Sequence, residues 1–169
     1  GDYLHINESN FSGAKVNIFL HHMIEDNYEI ASDGKITKTV TINYKNPYPA
    51  SDCNLERAGL CLNSVYRGWV RIYVPEGSKL VDSKGSQVKV TSYDELGKTV
   101  FEGLASVRPQ GVGSFSVTYT LPFTFEGGKL PALIQKQPGL VAPEYKISVN
   151  GRLKETFPLR SDKEIEVKK

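Results

Sequence analysis

The stretch Tyr66–Leu80, YRGWVRIYVPEGSKL, constrains the fold more than any other part of the chain. Val70, Ile72 and Val74 alternate with Trp69, Arg71 and Tyr73. Successive side chains of a strand point to opposite faces, so this period of two predicts a strand with one apolar and one amphipathic face. Pro75 then removes a backbone donor and Gly77 completes a turn, which ends the strand. The segment holds the sole tryptophan and is expected as a central strand of an all-β core.

The same period recurs. Ile36, Val40, Ile42 and Tyr44 alternate with Thr37, Thr39, Thr41 and Asn43, and Phe115, Val117, Tyr119 and Leu121 alternate with Ser116, Thr118 and Thr120. Threonine on the wet face and β-branched residues inside suit a pleated surface. After a polar, turn-rich opening over residues 1–13, Ala14, Val16, Ile18 and Leu20 predict another strand. Gln87–Ser92 with Val88 and Val90 inward, the run Lys98–Leu104, the run Leu130–Lys136, where Pro131 also suits the first turn of a short helix but strand is favoured, and Ile165 with Val167 mark further strands. Asp33-Gly34 follows a strand through Tyr28 and Ile30, and Asn150-Gly151 joins Tyr145–Val149 to Leu153–Phe157; both dipeptides accept hairpin-turn geometry. Turn signals separate about nine or ten strands in all, and no amphipathic helix of about ten residues is visible. These features predict one antiparallel β-sandwich over residues 1–169, immunoglobulin-like or an elaborated Greek key.

At 169 residues such a domain buries roughly 70% of its unfolded surface and needs no staples to hold a core. A formal charge of +2, with lysine and arginine spread along the chain, argues against nucleic acid as a partner. No run approaches the ~18 apolar residues that span a bilayer. The chain opens GDYLHINESNFSG, without initiator methionine or signal-peptide pattern. It is therefore expected to be a piece of a longer protein, with membrane contact only through an anchor segment outside it.

Cys53 and Cys61 bracket the loop CNLERAGLC within the long connection Asn46–Asn63. A local disulfide of an oxidising compartment is expected, because a metal site would need more ligands and no histidine lies near. Catalytic signatures are missing: there is no nucleophile elbow, phosphate loop or zinc-protease helix. No enzyme activity and no cofactor are expected. His21 and His22 are adjacent on a strand, so they point to opposite faces and do not share an ion. The run Asp26–Asp33 lacks the spacing of a calcium loop.

Trp69, Arg71 and Tyr73 form the candidate ligand-binding face, an aromatic stripe that stacks sugars or grips a peptide if solvent reaches it. A second layer or a long loop covering this face would make it core packing instead, and that reading is favoured because no polar cluster converges on it. A Lys15–Asn150 isopeptide crosslink is disfavoured, since the even-numbered apolar positions turn Lys15 outward.

Several stretches together resemble a bacterial family known as domain of unknown function number 4012, found in candidate-phyla bacteria and some Gram-positives. They are NFSGAKVNIFL (Asn10–Leu20), ITKTVTINYKNPYP (Ile36–Pro49), CNLERAGLCLN (Cys53–Asn63), WVRIYVPEGSKL (Trp69–Leu80), LGKTVFEG (Leu96–Gly103) and LIQKQPG (Leu133–Gly139). The resemblance implies the C-terminal β-rich part of a membrane-anchored envelope protein with an extracytoplasmic body, and it transfers no catalytic residue.

The expected function is that of a non-catalytic, extracytoplasmic module of a bacterial cell-surface protein, serving adhesion or envelope architecture. Its expected partner is a cell-envelope glycan or a surface protein. Two alternatives stand beside it: a carbohydrate- or peptide-binding module, and an accessory domain of an envelope enzyme whose active site lies outside this chain.

Overall fold

Strands with one apolar face must bury that face, and here two six-stranded sheets do so against each other. The computed structural model describes residues 1–169. Sheet A contains β1 (Asp2–Asn10), β4 (Tyr66–Pro75), β6 (Thr91–Glu95), β7 (Lys98–Val107), β9 (Leu130–Gln135) and β12 (Lys163–Val167). Its strands are bonded in the order β12-β9-β1-β4-β7-β6. Sheet B contains β2 (His21–Ile30), β3 (Lys35–Asn46), β5 (Lys79–Lys84), β8 (Gly111–Thr124), β10 (Glu144–Val149) and β11 (Arg152–Pro158), in the order β11-β10-β2-β3-β8-β5.

The all-β sandwich is the predicted fold class, and β4 is central as expected, paired with β1 on one side and β7 on the other. There are twelve strands rather than nine or ten. Two pairings are parallel, β1 with β9 and β2 with β10, so each sheet is mixed rather than wholly antiparallel. The Asp33-Gly34 and Asn150-Gly151 hairpins join β2 to β3 and β10 to β11.

Residues 1–13 were expected to be irregular, yet Asp2–Asn10 is a strand in the interior of sheet A. The stretch Ala14–Leu20 is not a strand. Its centre, Val16–Phe19, is a short 3-10 turn that carries the chain from sheet A to sheet B. Val16 and Leu20 enter the core there while Ile18 lies in solvent, so an alternating sequence is satisfied by a turn that buries two of its apolar residues. Val90 is inward as predicted, but Val88 is exposed and precedes β6.

The core is one continuous cluster of aliphatic and aromatic side chains from both sheets. Val70, Ile72 and Val74 of β4 meet this layer, with Ile36, Val40 and Ile42 of β3 and Phe115 and Val117 of β8 contributed from sheet B. Each such side chain, fully buried, contributes about 1.5–3 kcal/mol from removal of apolar surface from water. No helix is long and apolar enough to cross a membrane.

Candidate functional site

The outer face of sheet A is built by the odd-numbered residues of β1 and β4. Register places His5 beside Tyr73, Asn7 beside Arg71 and Ser9 beside Trp69. On the other flank, β7 sets Val100, Glu102 and Leu104 against Tyr73, Arg71 and Trp69, and β6 sets Tyr93 beside Val100. Trp69, Arg71 and Tyr73 are half-buried on this outer surface, and none belongs to the core between the sheets. No second sheet covers Trp69, so it is not core between the sheets; Phe11, from the connection that follows β1, packs against it.

Those neighbours hold the face in place. Trp69 meets Phe11 edge-on at 6.3 Å between ring centroids, and His5 tilts against Tyr73 at 5.7 Å. Tyr73 donates to Glu95 at 2.7 Å, Tyr93 to Glu102 at 2.8 Å, and Arg71 to Asn7 at 3.1 Å. Partial burial, followed by these carboxylate partners, raises both phenols, Tyr93 to about 12. The Nε of Arg71 is buried without a hydrogen-bond partner. The outer face of sheet B differs in chemistry: Thr37, Thr39 and Thr41 of β3 pair there with Thr120, Thr118 and Ser116 of β8.

Two polar clusters lie between the sheets, and neither follows from the motifs discussed above. In the first, Lys38 of β3 is fully buried with Asp26 and Tyr28 of β2 and Asp2 of β1. Lys38 Nζ donates to Asp2 Oδ2 at 2.5 Å, to Asp26 Oδ2 at 3.1 Å and to the Tyr28 hydroxyl at 3.0 Å. Tyr28 in turn donates to Asp2 Oδ2 at 2.6 Å, and the Tyr3 amide donates to Asp2 Oδ1 at 2.8 Å. Asp26 Oδ1 lies 3.0 Å from the ammonium but without hydrogen-bond alignment, and the buried Tyr119 hydroxyl has no partner. One cation thus faces two carboxylates in the buried interior. Burial outweighs the attraction of Lys38 and pushes Asp26 up to about 6. At Lys38 burial opposes the charge, but Asp2 and Asp26 overcome it and hold its pKa well above the usual value.

The second cluster centres on Glu8 of β1. It accepts from His22 at 2.9 Å, from Tyr66 at 3.2 Å and, through a shorter contact, from Tyr44. His22 faces inward while His21 is exposed, so the two histidines do diverge as their adjacency requires.

Inward strand phase was the available signal for both clusters. Lys38 falls between Ile36 and Val40, Asp26 between Ile24 and Tyr28, and Asp2 and Glu8 share the parity of Leu4 and Ile6.

Cys53 and Cys61 are disulfide-bonded, as expected, closing an exposed loop. A pair of buried amides, Asn46 and Asn63, joins the base of this loop to the end of β3 at 2.7 Å. Two open grooves lie elsewhere. One, of about 880 Å³, crosses the outer face of sheet B past His21, Met23, Asn43 and Val112. The other, of about 810 Å³, opens at the Asp2 end between Tyr3, Lys98 and Glu164.

No protein-family model matches the chain, and no curated protein matches it in sequence. Among solved structures it is similar to a candidate nutrient binding protein of Legionella pneumophila, with 9% identity and a TM-score of 0.46. That match covers 87% of this chain and 54% of the other, so this chain spans about half the length of the protein it resembles.

Proposed function

We propose that the chain is a non-catalytic, extracytoplasmic module of a bacterial cell-surface protein, contributing to adhesion or envelope architecture. The observation that supports this most is the Cys53–Cys61 disulfide on an exposed loop, since such bonds persist where thiols are not kept reduced. A sandwich whose charged side chains brace its two sheets from within suits an architectural role. The resemblance to family 4012 would supply the anchor from sequence beyond this chain. The test is to treat intact cells that make the protein with a membrane-impermeant amine reagent. Modification of exposed lysines such as Lys15, Lys79 and Lys84 before lysis is the expected result. Modification only after lysis would overturn the reading.

A second reading, a carbohydrate- or peptide-binding face, is favoured by one contrast. Aromatic rings with adjoining polar groups collect on the outer face of sheet A, whereas the opposite outer face carries a threonine and serine ladder. Trp69 is the sole tryptophan, so its fluorescence reports directly on this face. Envelope glycan fragments that stack there should shift the emission, and Trp69→Ala should abolish binding while the far-ultraviolet spectrum is retained. Binding unchanged in Trp69→Ala would exclude this face.

A further inference from the structure

The Lys38 cluster is the feature whose chemistry exceeds the needs of packing. Burying a charged group costs several kcal/mol per ion even after relaxation, and a buried ion pair offsets that only with excellent geometry. Here one ammonium is shared by two carboxylates that are both buried, so charge balance is not reached while all three groups are ionised. A condensation of Lys38 with one of them would remove one cation and one carboxylate and leave a single buried acid, Asp26 or Asp2.

The geometry points to Asp2 as the acyl partner. Lys38 Nζ lies 2.5 Å from Asp2 Oδ2, one bond away from the carboxyl carbon Cγ. Both Asp2 oxygens receive other donors, Oδ2 from the Tyr28 hydroxyl at 2.6 Å and Oδ1 from the Tyr3 amide at 2.8 Å. Donors placed on a carboxyl oxygen polarise the carbon and stabilise the oxyanion of a tetrahedral adduct. Asp26 touches the same nitrogen but lacks comparable donors, and its Oδ1 is unpartnered. It is placed to carry protons rather than to be attacked.

We propose that Lys38 and Asp2 become joined by an intramolecular amide bond, Nζ to Cγ, with Asp26 as proton carrier and water as the product. The ammonium first passes a proton to Asp26, and the neutral amine attacks Cγ of Asp2. The adduct's Oδ1 is held by the Tyr3 amide. The Cγ–Oδ2 bond then breaks, and Oδ2 leaves as water. Its two hydrogens are the two protons that the nitrogen loses, relayed through Asp26, which ends in the state in which it began. No oxidant, metal or second substrate is needed. Burial raises Asp26 to about 6, so it accepts the first proton far more readily than an exposed aspartate. The carboxylates favour the ammonium form of Lys38, which makes the attack slow; a reaction that occurs once per chain tolerates that. Reactive groups fixed in contact gain effective molarities of about 10⁵–10⁸ M when well oriented. Asp2 is among the residues that line the groove of about 810 Å³, while its side chain itself stays buried.

The product would link β1 of sheet A to β3 of sheet B with a covalent bond across the core. This differs from the crosslink between Lys15 and Asn150 weighed from sequence. Lys15 is exposed, and Asn150 Oδ1 accepts the Ile30 amide at 2.8 Å on the far side of a hairpin. The Glu8 cluster contains no amine and has no such chemistry open to it. The inference is independent of where the protein resides and of any ligand for the Trp69 face.

Intact mass of the purified 169-residue chain tests it. The expected mass is below that of the sequence by one water, beyond the two hydrogens lost to the disulfide. Trypsin should then fail to cut after Lys38 and should release residues 1–15 joined to residues 36–45 as one branched peptide. Lys38→Arg keeps the positive charge but removes the amine, and Asp26→Ala removes the proton carrier; both should restore the missing water. A wild-type mass lower only by the disulfide hydrogens, or a water deficit that persists in Lys38→Arg, would overturn the proposal. The wild-type measurement decides even if either variant fails to fold.

Discussion

Replacing Gly68 with alanine offers a sharp test of how the Glu8 cluster and the β4 core depend on each other. Gly68 is an inward position of β4, two residues from Tyr66, and the Tyr66 ring lies across it. A Cβ at Gly68 would stand 2.5 Å from Tyr66 Cζ and 2.6 Å from Cε1. Distances below about 3 Å require something to move. Tyr66 has little freedom, being 1% exposed, packed against Tyr44 at 5.8 Å between centroids, and bonded to Glu8 at 3.2 Å. Overpacking of a dense core costs about 1–3 kcal/mol. Displacing the phenol from a buried carboxylate forfeits a charged hydrogen bond worth about 1.5–3 kcal/mol. Alanine returns about 0.5–1 kcal/mol through its lower backbone entropy loss. The expected net loss is therefore about 3 kcal/mol, or roughly 6–12 °C in Tm for a domain of this size. Urea unfolding followed by circular dichroism measures it. Tyr66→Phe removes the hydroxyl, the atom nearest the new methyl, so Gly68→Ala and Tyr66→Phe should cost less together than the sum of each alone. A Gly68→Ala protein within about 0.5 kcal/mol of wild type, the scatter of ordinary surface changes, would refute the reasoning.

Burial raises the phenols of Tyr28, Tyr44, Tyr66, Tyr119 and Tyr145 above their ordinary value. The folded state thus keeps protons that the unfolded chain releases, so this contribution to stability is complete below about pH 10 and falls as pH rises beyond it. The tyrosinate absorbance of these five should rise in one cooperative step coincident with unfolding; their graded, reversible ionisation without loss of structure would contradict it. Replacing Cys53 and Cys61 together by alanine should cost about 2–3 kcal/mol on the chain-entropy account, read by urea unfolding beside the oxidised parent. A loss near zero would show that the loop is already ordered by the Asn46–Asn63 amides.

Sequence pattern reaches the fold class through strands whose inward residues are all apolar, such as Val70, Ile72 and Val74. It fails at β1, where Asp2 and Glu8 occupy inward positions and break the apolar period that marks a strand. It misleads over Ala14–Leu20, because burying Val16 and Leu20 at the core's end requires a turn and not an extended strand. The outer face of sheet A was legible in composition, as Trp69, Arg71 and Tyr73 share one phase, but whether a layer covered it depended on long-range packing. Lys38 is legible in position but not in partner. A lysine in the inward register of a strand as apolar as Ile36–Tyr44 signals a buried partner, though its identity comes from β1 and β2, far along the chain. Parallel pairing has no local signature at all, since it joins segments more than a hundred residues apart.

That parallel pairing governs the order in which the protein can assemble. β1 is an interior strand of sheet A, yet one neighbour, β4, ends at Pro75 and the other, β9, lies at Leu130–Gln135. β2 likewise waits for β10 at Glu144–Val149. Non-local pairings must meet their loop-closure entropy before contacts reward it, so such topologies fold in the slower range of about milliseconds to seconds. During synthesis β1 and β2 are made well before β9 and β10 and keep open edges until those strands follow. Charged residues on the two early strands, Asp2, Glu8 and Asp26 among them, then discourage edge-to-edge association with other nascent chains before they are enclosed between the finished sheets.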